Sequence, residues 1–336
     1  MKRLLFLLAV AACGTDAPPL THDTTLDCPS PDGLPFRVTS GFRHAQNANL
    51  AKMDTRIKHE AADTIGNPSG AVANTHLADT GMPSTTVEID GTMGVTTTTG
   101  GLFSMPMTDE YVSAWTYDGS AWQQLGRGLT DQDGLFSLPG ALVPNGQPIF
   151  TVLEANGTCA RAYDETLPMG AKVVVTDIDG TLTTSDNELA MEIADPTHDP
   201  AMMGHADAML QAWAMKGYPI VYLTNRPHPL RVETRGWLAE KMMPTGPVIT
   251  SNGTASDAAA YKTVWLERMV MTFGWNIVAA YGNASTDITA YQNAGIPKTQ
   301  TFIVGPLAGS GGTQPIDNMD FQAHITSYVD QQPQNN

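Results

Sequence analysis

The ten residues Lys172-Val173-Val174-Val175-Thr176-Asp177-Ile178-Asp179-Gly180-Thr181 decide the fold. The continuous apolar, β-branched run 173–175 offers no polar face, so it suits a strand buried on both sides in a parallel sheet. Helical patterns follow at about 203–216, 229–242 and 262–273, interleaved with strand-like runs at 220–224, 248–251, 277–281 and 301–304. This alternation predicts an α/β domain over 168–330, a parallel sheet with helices on both faces. Ligands of such sheets bind outside the carboxyl ends of the strands. Asp177 to Thr181 stand at one such end.

Two carboxylates two residues apart, then a glycine that permits a tight turn, make a hard oxygen site suited to Mg²⁺. Asp177 can attack a phosphoryl group and form an aspartyl-phosphate. Asp179 can protonate the leaving oxygen and then activate water. Companions stand at the other strand ends, in order. Thr224 offers a hydroxyl and a backbone N–H to a phosphate oxygen, with Asn225 and Arg226 next to it. Lys262, read as opening a helix, neutralises charge on the transferring group. Asn283 and Asp287 follow strand 277–281 and complete a metal shell with Asp177 and Asp179, while Gly180 and Thr181 join the substrate contacts. Each has an ordinary reading alone, as a strand end, a solvated helix residue or a helix N-terminal charge. Their common order and position favour chemistry. His198, His205 and His228 lack metal-ligand spacing.

Asp177-Ile178-Asp179-Gly180-Thr181 matches the first motif of the haloacid-dehalogenase (HAD) superfamily. The stretches 176–186 (TDIDGTLTTSD), 217–226, 234–238 (TRGWL) and 280–295 (AYGNASTDITAYQNAG), with Ile296-Pro297, resemble the catalytic domain of the lipin family over about 168–310. The resemblance implies a HAD-like, Rossmannoid sheet and Mg²⁺-dependent hydrolysis of phosphatidate to diacylglycerol. It also implies an accompanying immunoglobulin-like β-sandwich. Many HAD enzymes have an acid where this chain has Asn283. Lipins share the amide, which ligates Mg²⁺ with less charge. Only about 45 residues separate Asp179 from Thr224, enough for one helix and its loops but not for a cap domain. An open cleft suits a bulky or membrane-held substrate, and equally a protein or nucleotide. Arg226, Arg231 and Arg235 are candidates for headgroup contacts or structural arginines. Two alternatives stand beside a phosphatidate phosphatase: a phosphatase for a soluble phosphoester, and a non-catalytic phosphatidate-binding module, as some lipin-like domains are. Retention of both Asp177 and Asp179 speaks for catalysis.

Before residue 168 the pattern is β-rich. Short segments at 85–89, 111–117, 122–125, 135–138 and 149–154 are separated by Asp-Gly and Asn-Gly turns, which predicts a sandwich within 35–167. A helix is expected somewhere in 43–63, and beyond 310 only loop and a short helix at 319–330. Lys2 and Arg3, the apolar run 4–12 and Val10-Ala11-Ala12-Cys13 read as a lipoprotein signal peptide over 1–12, with Cys13 lipidated and 13–34 a tether; a plain secreted protein is the alternative. By resemblance to bacterial sorting rules, Gly14 places the chain in the cell envelope, on the outer membrane facing the periplasm. Cys28 and Cys159 then remain as a candidate disulfide. The formal net charge of -16 excludes the basic footprint that nucleic acid requires and unaided adsorption to an anionic membrane. The oligomeric state is left open.

Overall fold

The computed structural model describes residues 40–53, 60–67, 72–74, 84–88, 94–95, 102–103, 107–117, 120–132, 134–139, 148–195, 198–227, 230–251 and 257–335. Cys13, Cys28 and His228 lie outside the described residues, as does the whole of 1–34. Cys159 is disulfide-bonded.

The α/β half is built on six strands: β1 (Lys172–Thr176), β2 (Ile220–Pro227), β3 (Val248–Ser251), β4 (Asn276–Gly282), β5 (Thr301–Val304) and β6 (Gln314–Ile316). All pair in parallel, in the order β3-β2-β1-β4-β5-β6. The order reverses beside β1, and that reversal opens a crevice at its carboxyl end. Among the described residues the sheet is flanked by α1 (Asn187–Ala194), α2 (Ala206–Met215), α3 (Arg231–Glu240), α4 (Ala258–Glu267), α5 (Ser285–Asn293) and a short C-terminal helical stretch, Gln322–His324 continuing through Ile325–Val329. Alternation along β1 divides the core. Val174 joins Met209, Trp213, Trp237 and Tyr281 on one face, while Val173 and Val175 join Trp265, Leu266, Ala290 and Tyr291 on the other.

The N-terminal half contains a six-stranded sheet ordered Val72–Asn74, Thr64–Gly66, Thr158–Thr166, Pro148–Leu153, Tyr111–Tyr117 and Trp122–Leu129. Its one parallel pairing is Thr64–Gly66 with Thr158–Thr166. A three-stranded antiparallel sheet of Glu60–Ala61, Ser84–Glu88 and Leu135–Pro139 contributes Phe136 to a core shared with Val112, Ala114, Ile149 and Leu153.

Several sequence expectations are corrected. Within the stretch 43–63 the described helix is Ala45–Met53, and 60–66 forms strands because both of its segments find sheet partners. Helix α4 begins at Ala258, where Asp257 accepts the Ala260 N–H at 3.0 Å. Lys262 therefore lies inside the helix instead of opening it. The tail supplies β6, paired with β5. Two helices, α1 and α2, lie between Asp179 and Thr224 where one was expected, and α5 was not anticipated as a separate element.

Asp63 fastens the halves together. It is fully buried and accepts from the Tyr163 N–H at 2.8 Å in its own sheet. Across the boundary it accepts from Arg231 Nη2 at 2.6 Å, from the Val248 N–H at 2.8 Å and from Arg235 Nη2. Arg231 and Arg235 are thus structural, and the headgroup reading is withdrawn for both. Removing one partner from a buried ion pair leaves charge uncompensated, so Asp63→Asn is expected to lower stability by about 3–5 kcal/mol, read from denaturant midpoints.

A second buried polar group sits behind β4. The Tyr281 hydroxyl lies 2.8 Å from His324 Nε2 and accepts from Trp213 Nε1 at 2.7 Å. Burial pulls His324 from 6.5 down to about 4. The fold therefore holds the neutral ring. Its contribution is complete above the unfolded value and is lost as pH falls toward the folded one. Unfolding free energies measured at about pH 7 and pH 5 should fall more steeply for the wild type than for His324→Phe.

Candidate active site

A cleft of about 240 Å³ opens at the carboxyl ends of β1, β2 and β4, lined by Asp177, Asp179, Asp186, Arg226, Lys262 and Asn283 among others. Asp177, directly after β1, keeps 5% of its surface exposed and Lys262, on α4, keeps 3%. The Lys262 ammonium lies 2.7 Å from Asp177 Oδ1 and 2.6 Å from Asp287 Oδ1. Burial pushes Asp177 up to about 7, aided by the charges of Asp287 and Asp179 and opposed by Lys262. Burial pulls Lys262 down, but the two carboxylates more than offset it and hold the ammonium above its ordinary range.

Asp287 lines the cleft, but both of its oxygens are engaged by protein donors. Its Oδ1 is taken by Lys262, and its Oδ2 accepts from the Asn283 and Ala284 N–H groups at 3.1 and 3.0 Å. The expected ligand is instead the anchor of Lys262 and of the turn into α5. Asp179 likewise has both oxygens engaged: Arg226 Nε and Nη2 donate to it at 3.0 and 2.8 Å. Arg226 is fully buried and its Nη1 donates to Thr234 Oγ1 at 3.2 Å. This corrects its placement as a headgroup contact, because the guanidinium serves Asp179.

Thr224 is fully buried; its hydroxyl accepts from the Arg226 N–H at 3.1 Å. Asn225 is exposed and lines the cleft. Thr181 is also fully buried, its hydroxyl 3.4 Å from Asp177 Oδ2 and 3.3 Å from Asn283 Oδ1. It ties protein oxygens together, which corrects its placement as a substrate contact. Gly180 adopts φ +71, and a Cβ there would meet Asn283 Nδ2 at 2.1 Å and Asp186 Oδ1 at 2.5 Å. Only glycine meets both demands.

Sequence reasoning missed Asp186. An Asp just before a helix reads as an N-cap, yet it makes no side-chain cap to α1. Its Oδ1 accepts the Asn283 amide N–H at 3.0 Å. That bond leaves the Asn283 amide oxygen at the Thr181 hydroxyl, which also meets Asp177 Oδ2. A carboxylate oxygen and an amide oxygen therefore converge, the hard donors that Mg²⁺ takes. Mg²⁺ often uses only one or two carboxylates and fills its shell with water and substrate phosphate. The donor set of Asp177 and Asn283 fits that habit. Among the described residues no three His, Cys, Asp or Glu gather into a fuller cage. His198 instead pairs with Glu188 at 2.7 Å and His205 with Asp320 at 2.8 Å.

Residues 174–305 match the family model described as "PITM 1-3, LNS2 domain", a phosphatase-like fold. Mouse membrane-associated phosphatidylinositol transfer protein 3 is 30% identical over 188 residues, 55% of this chain and 18% of the relative. Protein retinal degeneration B of Drosophila melanogaster is 31% identical over 190 residues, 55% of this chain and 14% of the relative. The chain thus matches less than a fifth of either relative's length. Among solved structures, D,D-heptose 1.7-bisphosphate phosphatase from B. bronchiseptica, complexed with magnesium and phosphate, is 14% identical. It covers 46% of this chain and 97% of that chain at a TM-score of 0.34, too distant a likeness to argue from.

Lys262→Met removes the cation between two buried carboxylates. It is expected to cost about 3–5 kcal/mol of stability, and unfolding in denaturant at neutral pH checks this.

Proposed function

We propose that the chain is a Mg²⁺-dependent phosphatase that hydrolyses a lipid phosphomonoester, phosphatidate being the leading substrate, through an aspartyl-phosphate on Asp177. The observation that carries this reading is Asp177 itself, a carboxylate at the carboxyl end of β1 braced against Lys262 at the floor of an open cleft. The lipid part draws support from relatives named for phosphatidylinositol transfer and from the lipin resemblance. An immunoglobulin-like character for the N-terminal, β-rich half and membrane attachment through Cys13 belong to the same proposal.

In this mechanism Asp177 attacks phosphorus, the bond from phosphorus to the ester oxygen breaks, and Asp179 delivers a proton to the departing oxygen. Asp179 then takes a proton from water as that water attacks the aspartyl-phosphate, releasing inorganic phosphate and restoring Asp177. Mg²⁺, held by Asp177 and Asn283, supplies positive charge against the phosphoryl oxygens when bound. Lys262 supplies the fixed cation from the protein side. Asp186 keeps the Asn283 amide oxygen facing the site. Arg226 positions Asp179, and one Asp179 oxygen must leave the guanidinium for that residue to carry a proton.

The same cleft could hold a lipid phosphate without cleaving it, the reading favoured by the transfer function in the relatives' names. Phosphate release from phosphatidate in mixed micelles with Mg²⁺ separates the cases. Release that requires Mg²⁺ and falls by on the order of 10³-fold or more in Asp177→Asn is the expected result. Release confined to soluble esters would remove the lipid substrate, and binding without release would replace the enzyme by a binding module.

A further inference from the structure

A second cavity, about 270 Å³, shares no lining residue with the cleft. It lies where strand Thr158–Thr166 meets α3 and the loop leading into β3. Its floor is cationic. Arg161 has a buried Nε with no hydrogen-bond partner, and among the described residues no carboxylate pairs with it. The guanidinium carbons of Arg161 and Arg235 lie 4.5 and 5.0 Å from the centroid of the same Tyr163 ring. Asp63 is shared between Arg235 and Arg231, so it does not answer Arg161.

Buried donors are normally paired, and Arg161, which lines the cavity, is a cation with no carboxylate partner among the described residues. The remaining walls narrow what that is. Leu238, Met243 and Pro244 are apolar, and the Tyr222 hydroxyl is spent on the Pro244 carbonyl at 2.7 Å. An apolar pocket with a few convergent donors is the usual form of a small-molecule site, and domain junctions are a usual place for one. A guanidinium matches the paired oxygens of a carboxylate or phosphate.

We propose that this cavity binds a small amphiphile bearing one phosphate or carboxylate group, its charged oxygens held by Arg161 and its apolar body against Leu238, Met243 and Pro244. The volume admits a short alkyl chain or a single ring and excludes a two-chain lipid. The site is independent of phosphatase activity, and bound ligand would cross-link the two halves of the chain next to Asp63.

The test is calorimetric titration of the full chain, in EDTA, with hexyl phosphate, hexanoate and neutral hexanol. Saturable binding of at least one anion, weaker binding of hexanol, and retention of affinity in Asp177→Asn are expected. Arg161→Gln should weaken the anion by at least about tenfold. Ala239→Trp, at an exposed helix position that lines the cavity, should block entry while keeping every charge. Tighter binding of hexyl phosphate assigns a phosphate head, and tighter binding of hexanoate a carboxylate head. Affinity unchanged in both Arg161→Gln and Ala239→Trp, affinity lost in Asp177→Asn, or no anion bound at millimolar concentration would each overturn the proposal.

Discussion

The arrangement of the cleft follows from one ammonium group. Lys262 sits between Asp177 and Asp287, and neither carboxylate would be tolerated so deep in the protein without it. Each partner comes from a different element: Asp177 from the end of β1, Lys262 from the second turn of α4, Asp287 from the first turn of α5. The triple contact therefore fixes two helices against the sheet as well as the charge of the site. Asp287 extends the constraint by receiving two backbone N–H groups of the loop after β4, which places Asn283 opposite Asp177.

Much of this architecture is legible in the chain. The run 172–176 reads as a buried strand, and the structure gives β1 those bounds. Tyr111–Tyr117 is likewise recovered in full, with Val112, Ala114 and Thr116 buried. Thr158–Thr166, the longest of the described strands, escapes notice because its inward residues include Ala160 and Ala162, whose small side chains carry little β preference. The strand Gln314–Ile316 is hidden differently. It is short, contains Pro315 and stands at the sheet edge, where a proline is tolerated. In 60–66, partners distant in sequence outweigh a local composition that favours helix.

Residue types and positions gave the location of the site but not the division of labour within it. Asp177, Asp179, Lys262 and Asn283 do line one cleft. Which oxygen faces which donor depends on side-chain geometry that spacing does not encode. Arg226 next to Thr224 reads as a substrate arginine, and only the fold brings its guanidinium onto Asp179. Asp186 had a visible signal, since it closes the stretch 176–186, but nothing in its spacing ties it to Asn283, 97 residues further on.

The junction at Asp63 bears on how such a domain can be inherited. Composition and pattern change near residue 168, and a gene split there would separate Arg231 and Arg235 from the carboxylate they share. A recombination that carried only the α/β half into a new protein would carry two buried cations with it. The recipient would need an acid at a matching depth, or the arginines would have to be replaced. The smallest portable unit is therefore larger than the α/β half, beginning no later than Asp63 itself.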